Sequence, residues 1–251
     1  MHSMGIDGVR SAILILMAHQ PRDPSPPPSP PEALQTSQDV QAWIRRFRIL
    51  HDDMFSRLPQ QAIDKCHRKL GSVRRERMGR SAPFEAAVLK DYAVWGLPLA
   101  GSTVAQRYAA APVLSPEPED AVLLPAMADA RFSLFAVRAK AADGILQTED
   151  LLTEQSEVLM GMETGMDASG MPADAAFLAG WYVRLEDRVF PGAGSLWLDA
   201  RQRDILLAML SGPYPLVREG LAKLKPAATY DPGRFAAFVV KSILDARLYH
   251  V

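Results

Sequence analysis

Apolar side chains occupy every second position between residues 176 and 185. The positions concerned are Phe177, Ala179, Trp181, Val183 and Leu185. A period of two is the spacing of a β-strand that turns one face toward a core. Further strands are predicted at 131–140, 145–152, 156–162 and 188–190, with Asp143-Gly144 as a hairpin turn. Five short strands with tight turns predict a small antiparallel β-sheet or half-barrel module over residues 131–192.

Helical spacing dominates on both sides of this module. Apolar residues follow the i, i+3, i+4 pattern of a helix from Val40 to Leu58, and Pro59 ends it. A second helix is predicted over 60–70, stopping at Gly71, and 72–81 is predicted as a loop or frayed helix. Further helices are predicted at 84–95, 103–111, from 116, and at 198–210, 215–224 and 232–246. The expected fold class is therefore α+β: a helical region at 37–130, the β module, and C-terminal helices at 193–251 that pack on the body.

The first 36 residues differ in composition from the rest. Residues 21–31 read PRDPSPPPSPP, and proline at this density favours extended polyproline II over helix or sheet. Residues 1–36 are therefore predicted to be a disordered, proline-rich leader. The apolar run at 10–18 is short for a secretory signal and far too short to span a bilayer. We expect a soluble cytoplasmic protein with no membrane partner.

Composition narrows the classes of chemistry. The chain has 251 residues, of which 48% are hydrophobic and 23% charged, with a formal net charge of −1. This balance gives no global attraction to nucleic acid, so such binding needs a local patch. Cys66 is the single cysteine, which excludes an intramolecular disulfide and a Cys-rich zinc site. No metal and no cofactor are expected.

Three short motifs carry a resemblance to a known module. They are Ser133-Leu134-Phe135, then Asp150-Leu151-Leu152-Thr153 with Glu157-Val158, and the strand at Trp181 that leads to Val189-Phe190-Pro191-Gly192. Together they resemble the β module of uncharacterised bacterial proteins that often carry a SEC-C type zinc motif. The resemblance covers about a quarter of the chain and implies a fold more than an activity. The Cys cluster of those proteins is missing here, so zinc binding is not implied.

The strongest charged candidate is a basic stretch. It contains His67, Arg68, Lys69, Arg74, Arg75, Arg77 and Arg80, opposed inside this window by Glu76. Such a cluster could neutralise several phosphates of a nucleic acid. No aromatic residue interleaves it, so stacking on bases is not indicated. The competing interpretation is a solvated surface whose arginines pair with Asp52, Asp53 and Asp64.

Two further groups of residues are candidates for a functional role. His51 begins a His-Asp-Asp triplet, but too few histidines accompany it for a metal site, and a His on a helix surface is expected. Met166 and Met171 lie in the Gly- and Asp-rich connection at 164–175, where apolar side chains favour contact with a partner.

These patterns contain no convergent set of catalytic groups. The sequence therefore predicts a non-catalytic protein-binding or scaffold role, with another protein as the partner and the β module as the contact surface. The first alternative is a nucleic-acid-associated protein that uses the 68–80 patch. The second is an enzyme with a dispersed site.

Overall fold

Helices precede and follow the β module in the chain. A computed structural model describes residues 37–77, 84–111, 117–140, 145–160, 176–185, 188–211 and 232–248. The helices before the sheet are α1 (Ser37–Ser56), α2 (Gln60–Leu70), α3 (Ser72–Arg77), α4 (Glu85–Asp91), a π-helix (Tyr92–Gly96), α5 (Val104–Ala110) and α6 (Asp120–Ala128). Those after it are α7 (Ala200–Ser211) and α8 (Pro232–Ala246). The segment predicted as a loop or frayed helix after Gly71 thus begins with a short helix, α3.

The sheet has six strands in the described residues. They are β1 (Arg131–Lys140), β2 (Leu146–Asp150), β3 (Gln155–Leu159), β4 (Phe177–Leu185), β5 (Arg188–Pro191) and β6 (Leu196–Leu198). The α+β prediction is confirmed, and β1 has the predicted bounds. The sheet continues beyond the predicted end of the module at residue 192, since it includes β6. This strand was not predicted. The hairpin signal at Asp143-Gly144 and the helix predicted at 215–224 lie outside the described residues.

The sheet closes into a barrel. Its order is β1-β2-β3-β5-β4, and β4 pairs again with β1. The first half of β1 pairs with β4 and its second half with β2, across an irregularity between Val137 and Ala139 that bends the strand. The β3–β5 pair is parallel, in contrast to the all-antiparallel module that was predicted. This order, with a long bent first strand and a parallel third and fifth strand, matches the five-stranded Greek-key barrel known as the OB-fold.

β4 is the central strand of the barrel. One edge pairs with β1, while the other pairs with β6 over Phe177–Ala179 and with β5 from Tyr182 onward. Gly180 lies where the second edge changes partner, and a Cβ there would lie 2.5 Å from Ser195 Oγ. The segment at Ser195 can therefore pass close to β4 only because Gly180 has no side chain.

The two sides of the barrel wall belong to different cores. Phe135, Leu146, Leu159, Leu178, Tyr182, Val189 and Trp197 form the inner cluster. The alternate side chains of β1 and β4, such as Phe132 and Trp181, point outward into the main core against α6 and α8. The Phe132 ring packs edge-on against Phe235 of α8, with centroids 5.9 Å apart. The period-2 prediction for β4 is confirmed, but both faces of this strand are buried.

Asp150 fixes the turn after β2. Its Oδ1 accepts hydrogen bonds from the Ser133 hydroxyl of β1 and from the backbone N–H groups of Leu152 and Thr153. Asp150 is only 1% exposed. The motifs at Ser133 and at Asp150-Leu151-Leu152-Thr153 thus have a common physical cause, since a buried carboxylate satisfies one buried hydroxyl and two turn amides.

Removal of this carboxylate should destabilise the fold. Asp150→Ala leaves three donors without their acceptor, and we expect a loss of about 2–4 kcal/mol in the free energy of unfolding. Asp150→Asn keeps an acceptor oxygen and should lose less. The matched control is Glu149→Ala, which removes a carboxylate from the outer barrel face and should change stability by less than about 1 kcal/mol. Urea unfolding followed by circular dichroism measures all three, and equal effects of Asp150→Ala and Glu149→Ala would contradict this account.

Candidate functional site

A buried histidine–aspartate pair lies where α1 meets the end of α4. His51 is 5% exposed and Asp91 is 1% exposed. The His51 Nε2 and Asp91 Oδ1 atoms are 3.3 Å apart, without the alignment of a hydrogen bond. The expectation that His51 lies on a helix surface is wrong. Its side chain lies one helical turn after Phe47 on the face of α1 that packs on the core.

Aromatic rings enclose the histidine. The imidazole stacks on Trp95 of the π-helix with centroids 4.5 Å apart, and Phe47 stacks on the same indole at 6.0 Å. Trp95 in turn lies 6.4 Å from Trp181 of β4. A continuous aromatic layer thus connects α1 to the barrel through the π-helix. Glycine at position 96 is required here, because a Cβ would lie 2.6 Å from the Tyr92 ring and 2.9 Å from Trp181.

Asp91 connects the helices to the loop between β5 and β6. Its Oδ2 accepts a hydrogen bond of 2.8 Å from the backbone N–H of Gly194. A Cβ at Gly192 would lie 2.2 Å from the same oxygen, so the loop backbone comes this close only with glycine there. Ser195 does not complete a triad with the pair, since its hydroxyl donates to the Gly192 carbonyl. The loop between β5 and β6 is therefore a docking point for α4.

The environment favours the neutral forms of both side chains. Burial, aided by the charge of Lys90, lowers the pKa of His51 from 6.5 to about 3. Burial also raises the pKa of Asp91 from 3.8 to about 7, against the opposing hydrogen bond from Gly194. The pair thus holds one proton, on the Asp91 carboxyl, in mildly acidic solution. Four buried polar atoms of this cluster have no hydrogen-bond partner among the described residues: His51 Nε2, Asp91 Oδ1, Trp95 Nε1 and Trp181 Nε1.

Perturbed titratable groups are a mark of functional sites, and this pair is such a case. Its burial argues for a structural role, because a catalytic group has to touch a substrate. Sequence reasoning drew attention to His51 but not to its partner, which lies forty residues away along the chain. No local signal connects the two, since the contact depends on how α1 packs against the π-helix.

The basic stretch divides into different environments. Arg75 is 4% exposed and lies in the interior, where its guanidinium donates two hydrogen bonds to Glu85 and one each to Asp245 and the Leu70 carbonyl. It therefore does not belong to a surface patch, because two carboxylates neutralise it inside the fold. Arg68 and Lys69 are exposed on the last turn of α2. Arg74 and Arg77 lie on α3, and Arg80, Met166 and Met171 lie outside the described residues.

The remaining features of the sequence concern cysteine chemistry, metal binding and membrane spans, and the described residues offer no site for them. Cys66 is buried, and burial raises the pKa of its thiol to about 12, so it is a poor nucleophile. Within the described ranges, no group of three or more His, Cys, Asp or Glu side chains is arranged to hold a metal ion. In that same part of the chain, no helix combines the length and apolar character needed to cross a bilayer.

The single proton of the buried pair determines how the free energy of unfolding depends on pH. Between about pH 4 and pH 6.5 the native pair holds one proton on Asp91, and the unfolded pair holds one proton on His51. The two states bind equal numbers of protons, so the pair adds almost no pH dependence to the free energy of unfolding. Asp91→Asn leaves a histidine with a lowered pKa, so stability should rise with pH from about 3 to 6.5. His51→Gln leaves an aspartate with a raised pKa, so stability should fall with rising pH from about 4 to 7.

Urea titrations across this pH range measure the three slopes. The account predicts opposite signs for the two variants relative to the wild type. Parallel curves for all three proteins would show that the two groups are not coupled through burial.

The ion pairs of Arg75 should contribute strongly to the stability of the fold. Arg75→Met removes the ion pair and both guanidinium hydrogen bonds of the buried Glu85 carboxylate, and should lower the free energy of unfolding by about 3–5 kcal/mol. Adding Glu85→Gln should recover part of the loss. Arg68→Met, on the exposed face of α2, is the matched control and should stay within about 0.5 kcal/mol of wild type. Thermal and urea unfolding test this, and an Arg75→Met effect as small as that of the control would contradict the buried assignment.

Comparison with known proteins assigns the chain to a family. No curated protein matches the chain significantly, and neither does any solved structure. A family model described as "Family of unknown function (DUF7986)" matches residues 43–171, from α1 through the end of β3 into the connection that follows. Because this match covers just over half of the 251 residues, the chain belongs to the DUF7986 family.

Proposed function

We propose that this protein is a non-catalytic protein-binding module that contacts its partner through the outer face of β2 and β3. One observation carries the proposal: helices cover the outer face of β1 and β4, whereas that of β2 and β3 is open to solvent. Gln147 and Ser156 are exposed on this face, and Val158 is 40% exposed. We call these three residues, with Arg138 and Glu149, the open barrel face.

The chemistry of the open barrel face suits a protein better than a nucleic acid. Arg138 and Glu149 form an ion pair across β1 and β2, so the basic group is already neutralised. The described residues of this face include no aromatic side chain on which a base could stack. Polar side chains around an exposed valine have the mixed composition of a non-obligate protein interface.

Barrel closure restricts how a partner can bind. β2 has neighbours on both edges, β1 and β3, and β3 has β2 and β5. β2 therefore offers no row of unpaired backbone groups, and β3 pairs with β5 at Val158 and Leu159. The rest of that β3 edge is too short for strand addition to supply most of the contact, so we expect the partner to bind chiefly through side chains.

The connection between β3 and β4 extends this proposal. It follows β3 directly in the chain, and its sequence carries Met166 and Met171. Methionine adapts to irregular apolar surfaces, so these side chains suit contact with a partner. Their role stays a prediction, as do the cytoplasmic location and the likeness to bacterial β modules that carry a SEC-C motif.

Site-specific photo-crosslinking in cells tests the proposal. A benzophenone amino acid is placed at Val158, and in separate proteins at Gln147 and at Ile205. Ile205 lies on α7 and is 39% exposed, which makes it a control of nearly equal exposure on a different element. We expect the same protein adduct from Val158 and Gln147, and its loss when Ser156→Arg is added to the Val158 probe.

Three results would overturn the proposal. They are an adduct at Ile205 equal to that at Val158, an absence of any protein adduct from the open barrel face, and adducts there with nucleic acid instead of protein. In each case the exposed β2–β3 surface would not be a protein interface.

A further inference from the structure

The exposed surface at the C-terminal end of α2 carries cations without carboxylate partners. Lys65, Arg68 and Lys69 are exposed on the last two turns of this helix. Lys241 of α8 joins them, since a Cβ built at Gly71, the residue that ends α2, would lie 3.4 Å from Lys241 Cε. None of these four side chains forms an ion pair within the described residues. We call this set the α2 cationic surface.

Most carboxylates expected to neutralise this surface have other partners, whereas Asp64 of α2 and Glu76 of α3 are exposed and form no ion pair among the described residues. Asp52 pairs with Lys90, Asp53 pairs with Arg57, and the carboxylate of Asp64 accepts a hydrogen bond from Gln60. Glu85 and the partly exposed Asp245 both bind the buried guanidinium of Arg75. Ion pairs among the described residues therefore do not neutralise these four cations.

The helix itself needs only part of this charge. Three basic residues lie in the last turn of α2, His67, Arg68 and Lys69, where cations stabilise the helix dipole. That dipole is equivalent to roughly half a negative charge, which one cation offsets. The remaining positive charge exceeds the negative charge of the two exposed carboxylates on α2 and α3, Asp64 and Glu76.

We propose that the α2 cationic surface binds the phosphate backbone of double-stranded nucleic acid. Phosphate binding requires cations alone. The exposed face of α2 has no aromatic side chain, so single-stranded bases have no stacking platform. An anionic membrane would need an apolar anchor. Val73, 36% exposed on the neighbouring helix α3, is a single small side chain and too little for that purpose.

This surface is separate from the open barrel face. α2 packs against α3, α4, the π-helix and α8, and α8 in turn contacts β1 and β4. α8 therefore lies between α2 and the outer wall of the barrel at β1 and β4, which is the side that the helices cover. Nucleic-acid binding here is independent of the proposed protein contact.

Salt dependence of binding to a short mixed-sequence DNA duplex tests the proposal. Fluorescence anisotropy gives the association constant of the full chain between about 50 and 200 mM salt. Four phosphate contacts predict a slope of log K against log salt of about −3 to −4. The variant Lys65→Gln/Arg68→Gln/Lys69→Gln keeps good helix formers and should reduce the slope to about −1.

Matched variants separate charge position from net charge and from folding. Arg45→Gln/Arg107→Gln/Arg201→Gln also removes three exposed cations, from α1, α5 and α7, and should keep the wild-type slope. Arg68→Lys keeps the charge and should bind like wild type. The melting temperature of each variant verifies that it is folded.

Several outcomes would overturn the proposal. One is no duplex binding by the wild-type protein at about 50 mM salt, where phosphate contacts are strongest. Others are equal slopes for the two triple variants, or tighter binding to single-stranded RNA or to vesicles of anionic lipid than to the duplex.

Discussion

Closure of the barrel through the parallel β3–β5 pair is the constraint on which the rest of the structure depends. It gives β3 and β5 a second neighbour, and it buries the inner side chains of every strand in one small core. It also leaves the outer wall to be covered by other elements. The helices cover that wall at β1 and β4, and the main core forms between them. The open barrel face exists because no described helix packs over β2 and β3.

The helices dock on this barrel through aromatic rings and one carboxyl group. Trp181 of β4 and Trp95 of the π-helix meet above Gly96, and Asp91 binds the loop between β5 and β6. Trp95 and Gly96, which approach Trp181, both belong to the π-helix, whose turn is wider than that of an α-helix. The burial of His51 beside Asp91 is a consequence of that docking. Burial favours the neutral form of both groups, so the single proton of the pair lies on Asp91.

The sequence predicted those features that depend on local periodicity. Alternation identified β4, and helical spacing identified α1 and α2, because one buried face imposes a regular pattern on the residues that form it. β6 was missed because three residues are too few to show a period. The barrel was predicted only as a sheet or half-barrel, since pairing between β3 and β5 depends on contacts between distant parts of the chain.

The candidate site was less predictable for the same physical reason. Arg75 has the sequence context of a surface arginine, and only the approach of Glu85 and Asp245 reveals its burial. Likewise His51 resembles a surface histidine until Trp95 covers it. In contrast, the exposure of Arg68 and Lys69 follows from their place on the polar face of α2. Charge in a local cluster can be read from sequence, but its neutralisation by distant residues cannot.

The most direct test of this account is a solution NMR measurement on β3 and β5. The closed barrel predicts nuclear Overhauser effects between Val158 and Arg188 and between Leu159 and Val189, with slowly exchanging amides along both strands. An open sheet would leave β3 as an edge strand. Absence of these cross-strand contacts, together with fast exchange of the outward-facing β3 amides, would contradict the closed barrel and with it the assignment of β2 and β3 as the open face.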